Sequence, residues 1–316
     1  MRHMLRLIAL LGILFSIAAC SVLTAPQVNA VKEFAKATDS YGQIPGDVIR
    51  VYRDVVFSRR ALLVGGRLEM SKKDAEDALE QALTDRDGAT EKAERADKAL
   101  RVLDDYGRIL SLLVSDVYTK DLNAAAASLG TELDSAIDLY NTKFLVGSGK
   151  KLDSSIGGIA AALVRGGGGI WIRHNQTIAL RDAVRKAEPV VDEMTTAIED
   201  LAAVFQETTP GKKTIFEEER EQFKDAFLNT LKSAAGRGQI VDLPFTDRVV
   251  ETLDRARRAG KTAGLAISAA RKYRAAHRNL VKAIKDESGL IELSEEIKTL
   301  KAEIDAAKKL QKELSK

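Results

Sequence analysis

The sequence predicts an all-α protein, an elongated bundle of six to eight helices of which several are long and carry heptad-type seams. Ala, Leu, Lys, Glu and Arg dominate, aromatic residues make up 5%, and there are five prolines in 316 residues; this composition is typical of long helices. Apolar residues recur at alternating steps of three and four over long stretches, which indicates helices packed side by side. No segment alternates in the manner of a strand bounded by turn residues.

Caps and prolines mark the first two helices. Thr24 can cap a first helix with Pro26 in its opening turn, and Pro45 ends that helix because proline cannot donate a backbone hydrogen bond. A second helix is predicted over about 47–62.

Ser71 begins a capping box that starts a third helix. Leu79 and Ala82 are expected to face inward, and Gly88 is expected to interrupt the helix, since glycine is a poor helix former. A regular seam follows. It consists of Ala93, Ala96, Leu100, Leu103, Gly107, Leu110, Val114 and Val117.

Four further helical stretches are predicted in the C-terminal half, one of them a shorter helix with Phe216, Phe223, Phe227 and Leu231. A second clean seam contains Pro189 and consists of Leu180, Val184, Ala187, Val191, Met194, Ile198, Leu201 and Phe205. A long helix is expected over 246–286 with Thr246 as its N-cap. After Ser288 and Gly289, the last helix shows heptad spacing at Leu290, Leu293, Ile297, Leu300, Ile304, Ala307 and Leu314.

The first twenty residues have the features of an export signal. Arg2 and Arg6 provide a positive start, residues 7–17 are mostly apolar, and small residues lead into the only cysteine, Cys20. The apolar run is too short for the roughly 20 residues that a membrane crossing needs. The alternative is an ordinary signal peptide with an incidental cysteine.

Ile17-Ala18-Ala19-Cys20 resembles the lipobox of bacterial lipoproteins. The resemblance implies that residues 1–19 are a signal peptide that is removed, that Cys20 carries acyl chains such as palmitate, and that residues 20–25 are a short tether. Residues 26–316 would then form the helical bundle. Because Ser21 is not the aspartate that marks inner-membrane retention, the resemblance implies the outer membrane, with the body facing the periplasm. In a cell with a single membrane it implies the cell membrane.

Removal of residues 1–19 leaves 47 Lys and Arg residues against 46 Asp and Glu residues. The mature chain would therefore be almost neutral, and nothing in its net charge favours nucleic acid as a partner. The expected partners are the membrane, through the acyl chains, and a protein of the cell envelope. The sequence does not fix an oligomeric state.

A glycine-rich apolar insert is predicted at 145–172, where eight of the 22 glycines and the only tryptophan lie. It is a connector around a short buried helix, a partner-binding loop, or a membrane-active hairpin at 155–172. The last alternative weakly resembles the hydrophobic tongue of α-helical pore-forming toxins. The residues expected to contact a membrane or a partner are Ile156, Ile159, Leu163, Val164, Trp171 and Ile172.

A basic stretch at 255–285 contains ten Lys and Arg residues and no acidic residue. Either it pairs with the acidic stretch 182–225 inside the bundle, or it forms a surface for anionic lipid headgroups or an acidic partner. The candidate residues for anionic contact are Arg257, Arg258, Lys261, Arg271, Arg274 and Arg278.

No catalytic or metal-binding pattern is found. Once Cys20 is acylated no thiol remains, and His277 is expected to be a packed core residue rather than a base. The acidic runs at 104–105 and 217–219 are expected on solvated helix faces. The sequence therefore predicts a binding or scaffold protein that is not an enzyme and holds no cofactor and no metal.

Overall fold

The computed structural model describes most of the chain after Val22. The described residues are 23–38, 41–66, 71–115, 170–203, 205, 213–238, 243–286 and 288–314, with short stretches between 128 and 142. All regular structure in these ranges is helical, which confirms the all-α prediction.

Seven α-helices are bounded in these ranges, in agreement with the expected number. In chain order they are α1 (Ala25–Ala37), α2 (Ile44–Gly66), α3 (Lys72–Leu113), α4 (Ile170–Ala203), α5 (Ile215–Gly236), α6 (Leu243–Asp286) and α7 (Leu290–Leu314), with a 3-10 turn at Tyr41–Gln43 between α1 and α2.

The basic helix α6 is the centre of the bundle. It has 44 residues, which is about 66 Å at 1.5 Å per residue. Helices α1, α2, α4, α5 and α7 all pack against it. Its buried faces are rich in alanine, and such small side chains allow neighbouring helices to approach closely. The buried alanines are Ala256, Ala259, Ala263, Ala266, Ala269, Ala270, Ala276 and Ala283.

Helices α1, α4 and α7 run antiparallel to α6. The turn into α7 uses Gly289 with φ of 77°, a left-handed conformation that favours glycine. The first turn of α1 lies beside Ala283, and Asp192 of α4 pairs with Arg278 of α6. The last turn of α6 and the first turns of α1, α4 and α7 therefore form one end of the bundle, which we call the α1 end.

The α5 end lies at the opposite side of the molecule. It is formed by the last turn of α5 and the first turns of α3 and α6. Helix α3 runs parallel to α6, since Tyr106 contacts His277 and the hydroxyl of Tyr273 donates to the carbonyl oxygen of Leu103.

The two long seams predicted from the sequence lie in the core. All residues of the α3 seam up to Val114 are buried, and Val117 is outside the described ranges. From Leu180 to Phe205 the second seam is also buried, apart from the partly exposed Leu201. Helices α3 and α4 contact each other, so these seams contribute to a shared hydrophobic core.

Several predicted boundaries are wrong. Pro45 lies in the first turn of α2 and does not end α1. A backbone N–H in the first turn has no acceptor inside the helix, so a proline there costs no hydrogen bond. Helix α6 begins at Leu243 and not after Thr246. Pro244 is accommodated in its first turn, just as Pro45 is in α2. Gly88 lies within a continuous α3 and does not interrupt it, and Leu79 is 42% exposed rather than inward.

Candidate membrane-proximal site

The first turn of α1 is tied to the last turn of α6 by Gln27. The side-chain oxygen of Gln27 accepts a 2.9 Å hydrogen bond from the backbone N–H of Thr24, as in a capping box. Its amide nitrogen donates a 2.7 Å bond to the carbonyl oxygen of Ala283. Gln27 is buried, so this side chain satisfies the start of one helix and the end of another. The beginning of α1 is thereby fixed in position.

A buried aromatic cluster holds the rest of α1. The ring of Phe34 packs edge-on against Tyr273 with centroids 5.3 Å apart, and Tyr41 stacks on the same ring at 5.9 Å. The hydroxyl of Tyr41 donates a 2.8 Å hydrogen bond to the carbonyl oxygen of Ala266. Because each buried hydroxyl is bonded, the cluster joins α1 to α6 without a desolvation penalty for an unpaired group.

His277 is part of this buried cluster. Its Nε2 atom lies 2.9 Å from the hydroxyl of Tyr106, and its ring packs near Phe34. Burial lowers the pKa of His277 to about 3, because the charged imidazolium is poorly solvated there. The prediction of a packed core histidine is confirmed.

The proposed lipid acceptor, Cys20, lies outside the described residues, five positions before the first residue of α1. Ile156, Ile159, Leu163 and Val164 also lie outside them. Trp171 and Ile172 belong to the first turn of α4, and only their backbone is described. The described start of α4 therefore places the C-terminal limit of the predicted insert at the α1 end.

A groove of about 560 Å³ lies between α4 and the last turn of α6. Its apolar side chains include Ile178, which is 46% exposed, and Ile284. Arg181, Arg185 and Lys285 line it as well. Sequence reasoning missed this groove, although Ile178 precedes the α4 seam as an apolar residue outside its register.

The basic face of α6 pairs mainly with acidic residues of the bundle. Arg271 donates a 2.9 Å hydrogen bond to Glu199, Arg274 lies 2.9 Å from the same carboxylate, and Arg278 lies 3.1 Å from Asp192. These contacts confirm the pairing between 255–285 and 182–225.

The remaining candidates for anionic contact differ from one another. Arg258 pairs with Asp254 and lies 3.6 Å from Glu313. Arg257 and Lys261 are exposed and form no ion pair with any described residue. The structure therefore does not bring the six predicted residues together as one free basic surface.

Two acidic residues expected in solvent are instead buried. Asp105 pairs with Arg108 at 3.2 Å, and burial raises the pKa of Asp105. Glu219 accepts a 2.8 Å hydrogen bond from Arg59. Glu219 leaves no local signal because its partner Arg59 lies on another helix. Asp105 pairs within α3, and its burial comes from tertiary packing, which the sequence pattern does not report. Among the described residues, no group of three or more His, Cys, Asp or Glu side chains could hold a metal ion.

Comparisons with family models, with curated proteins and with solved structures found no match to this chain. The arguments about function therefore depend on the residues and on their geometry.

Proposed function

We propose that this chain is a lipid-anchored protein of the bacterial cell envelope whose helical bundle has a binding or scaffold role. The observation that carries the proposal is the lipobox-like run that ends at Cys20. Acyl chains on Cys20 would hold the protein in the bilayer, since each buried CH₂ group contributes roughly 0.8 kcal/mol. With Ser21 after the cysteine, the proposed location in a cell with two membranes is the periplasmic face of the outer membrane.

The short distance between Cys20 and the bundle supports an anchoring role. Five residues separate Cys20 from Ala25, and five extended residues span at most about 17 Å. Because Gln27 and Phe34 fix α1 in the bundle, the anchor would be connected to a rigid helix. None of the helices in the described ranges has the length and apolar content to span a bilayer.

A scaffold role is supported by the state of the ionisable groups that were considered for chemistry. His277 is buried, and its low pKa keeps it neutral at physiological pH. The buried carboxylates Asp105 and Glu219 are engaged by Arg108 and Arg59. The Arg59–Glu219 pair joins α2 to α5 and the Asp105–Arg108 pair lies within α3, so these groups are engaged inside the bundle and are not presented to a substrate.

The proposal is tested by mass spectrometry of the protein isolated from the membranes of its own cells. We expect a chain that begins at Cys20 and carries acyl chains. The matched control is Cys20→Ser, which should leave the soluble fold intact and abolish membrane retention. An unacylated thiol, or a membrane-bound protein that retains residues 1–19, would overturn the proposal.

A second candidate function is membrane activity of the apolar segment that precedes α4. It is favoured by one observation: α4 begins at Ile170, beyond the last turn of α6 at the α1 end. It is tested by dye release from vesicles with the Cys20→Ser protein, compared with the same chain lacking 155–169. Release that requires 155–169 would support membrane activity, and equal release from the two proteins would exclude a role for that segment.

A further inference from the structure

We propose that the α1 end of the bundle lies against the bilayer that holds Cys20, with the groove between α4 and α6 open to the lipid interface. The inference rests on the proposed function, since it takes Cys20 as the point of attachment. It adds an orientation and a lipid-contacting surface, which the lipobox by itself does not specify.

The direction of the helices supports this orientation. The hydrogen bond from Gln27 to Ala283 places the start of α1 level with the last turn of α6. Cys20 is therefore within about 17 Å of the α1 end. On α6, Val250 precedes Ile284 by 34 residues, which is about 51 Å of helix. With a tether of this length, a bundle that stands on the membrane has its α1 end close to the lipid and its α5 end far from it.

Helix α4 extends further toward the membrane than α6. Ile178 lies beside Ile284 in the groove, and the antiparallel direction of α4 means that its earlier residues continue past the end of α6. The eight residues 170–177 are helical and span about 12 Å. This extension is shorter than the span of about 17 Å that the tether allows. The groove is therefore close enough to the bilayer to contact it.

The chemistry of the groove suits a phospholipid interface. Exposed Ile178 provides apolar area next to Ile284, and Arg181, Arg185 and Lys285 are the basic residues of the lining. Asp182 also lines the groove and pairs with Arg185 at 3.0 Å, so Lys285 is the cation on which the headgroup contact depends. Lys285 is exposed and forms no ion pair with a described residue. Apolar side chains beside basic ones are the combination that binds headgroups and the adjoining acyl region.

The side of α6 is a weaker candidate for the same lipid contact. Arg271, Arg274 and Arg278 share the two carboxylates of Glu199 and Asp192, so most of their charge is compensated inside the bundle. A bundle that lies flat on the bilayer would have to present these paired residues to the headgroups. Lys261, which forms no ion pair with a described residue, would contact lipid in the flat orientation and would stay distant from it in the end-on orientation.

The experiment uses the full acylated chain with one additional cysteine, which is the only free thiol once Cys20 carries lipid. Ile178→Cys and Val250→Cys are matched variants, because both replace an exposed aliphatic residue, 46% and 58% exposed, on a long helix. Each thiol is labelled with an environment-sensitive fluorophore, and the protein is reconstituted in vesicles of phosphatidylcholine and phosphatidylglycerol that contain a headgroup spin label. We expect quenching at 178 to be several-fold stronger than at 250.

A charge comparison then locates the headgroup contact. Lys285→Glu should reduce the quenching at position 178 about two-fold or more in vesicles with phosphatidylglycerol, whereas Lys261→Glu should leave it unchanged. Equal quenching at 178 and 250, or a response to Lys261→Glu alone, would overturn the end-on orientation.

The same samples separate failure of this inference from failure of the proposed function. Mass spectrometry of each sample reports whether Cys20 is acylated. An acylated, vesicle-bound protein with no preferential quenching at 178 contradicts the orientation alone. An unacylated protein contradicts the anchor, and the orientation that depends on it fails as well.

Discussion

The α1 end and the α5 end of the bundle differ in how completely they bury their side chains. Between the middle of α6 and the α1 end, Phe34, Tyr41 and Tyr273 are fully buried, and the hydroxyls of both tyrosines are hydrogen-bonded. Near the α5 end, the part of α3 from 72 to 92 is largely exposed and buries only Ala82. Leu79, Leu228 and Val250 of this half are exposed apolar residues.

This difference indicates where the free energy of unfolding resides. Buried apolar area contributes about 25 cal/mol per Å², so the half next to the proposed anchor should open last. The α5 end has fewer buried side chains and should open at lower cost. Exposed apolar side chains occur at both ends, since Ile178 and Ile291 lie at the α1 end, so the two ends differ in buried packing and not in apolar surface.

The largest expected effect separates two leucines of the same helix. Leu103→Ala should lower the free energy of unfolding by about 2–5 kcal/mol, because Leu103 is fully buried and its truncation leaves a cavity. Leu79→Ala should cost less than about 1 kcal/mol, because Leu79 is 42% exposed. Urea denaturation followed by circular dichroism measures both.

Similar losses at the two positions would mean that the α5 end is packed as tightly as the α1 end. The contrast between the two halves would then have to be abandoned. Because both changes replace leucine by alanine in α3, helix propensity does not differ between them.

Two glycines should respond to alanine with opposite signs. A Cβ atom at Gly42 would lie 2.3 Å from the carbonyl oxygen of Leu100, so Gly42→Ala must separate the chain after α1 from α3 and should destabilise by about 1–3 kcal/mol. A Cβ atom at Gly88 meets nothing within 4 Å. Gly88→Ala should therefore stabilise the exposed part of α3 by up to about 1 kcal/mol.

Thermal unfolding of the two glycine variants beside the wild type measures these changes. A neutral Gly42→Ala variant would show that the approach of the 3-10 turn to α3 can relax without cost. A destabilised Gly88→Ala variant would contradict the continuous, solvent-exposed helix at that position.

The buried histidine should make the stability of the protein depend on pH. The folded-state pKa of His277 is lowered to about 3, whereas an unfolded histidine has a pKa near 6.5. Between these values the unfolded chain binds a proton that the folded chain does not. Stability is therefore retained above about pH 6.5 and falls as the pH decreases toward 3, by at most about 1.4 kcal/mol per pH unit.

His277→Gln provides the control, because glutamine can still bond the hydroxyl of Tyr106 and does not titrate. The free energy of unfolding, measured by urea denaturation between pH 7 and pH 4, should decrease less steeply for the variant. The carboxylates are the same in both proteins, so their contribution to the pH dependence cancels when the two profiles are compared. Parallel pH profiles would show that His277 has the same pKa in the folded and the unfolded chain, which would contradict its burial as a neutral group.

The sequence predicts those features of the fold that depend on local periodicity. The seams of α3 and α4 were identified because apolar residues recur at helical spacing over five or more turns. The ends of helices are less predictable, since a proline such as Pro45 or Pro244 can stand just outside a helix or in its first turn. The predicted interruption at Gly88 is wrong because a long helix tolerates the loss of about 1 kcal/mol in helix propensity that one glycine causes.

The candidate site was predicted less completely than the fold. The lipobox-like run is contiguous, so it is visible in the sequence, whereas the bond from Gln27 to Ala283 joins residues 256 positions apart. The groove beside Ile178 and the burial of Asp105 likewise depend on tertiary packing. The pairing of 255–285 with 182–225 could be anticipated from opposite charge, but the pairing of individual residues could not.

The smallest expected effect comes from a comparison of two arginines, one that joins α6 to α4 and one that pairs within α4. Arg274 is partly buried, lies 2.9 Å from Glu199 and donates a 3.0 Å hydrogen bond to the buried hydroxyl of Thr195. Its replacement by alanine should cost about 1–2 kcal/mol, because it leaves acceptors without their charged donor. Arg185→Ala removes a more exposed pair with Asp182 and should cost less than about 0.5 kcal/mol.

Urea denaturation at low and at high salt distinguishes the two arginines, because screening weakens exposed pairs more than partly buried ones. The loss in Arg274→Ala should persist in high salt, while the small loss in Arg185→Ala should vanish. If the Arg274→Ala loss also vanished, the contact between α4 and α6 would rest on its apolar seam alone.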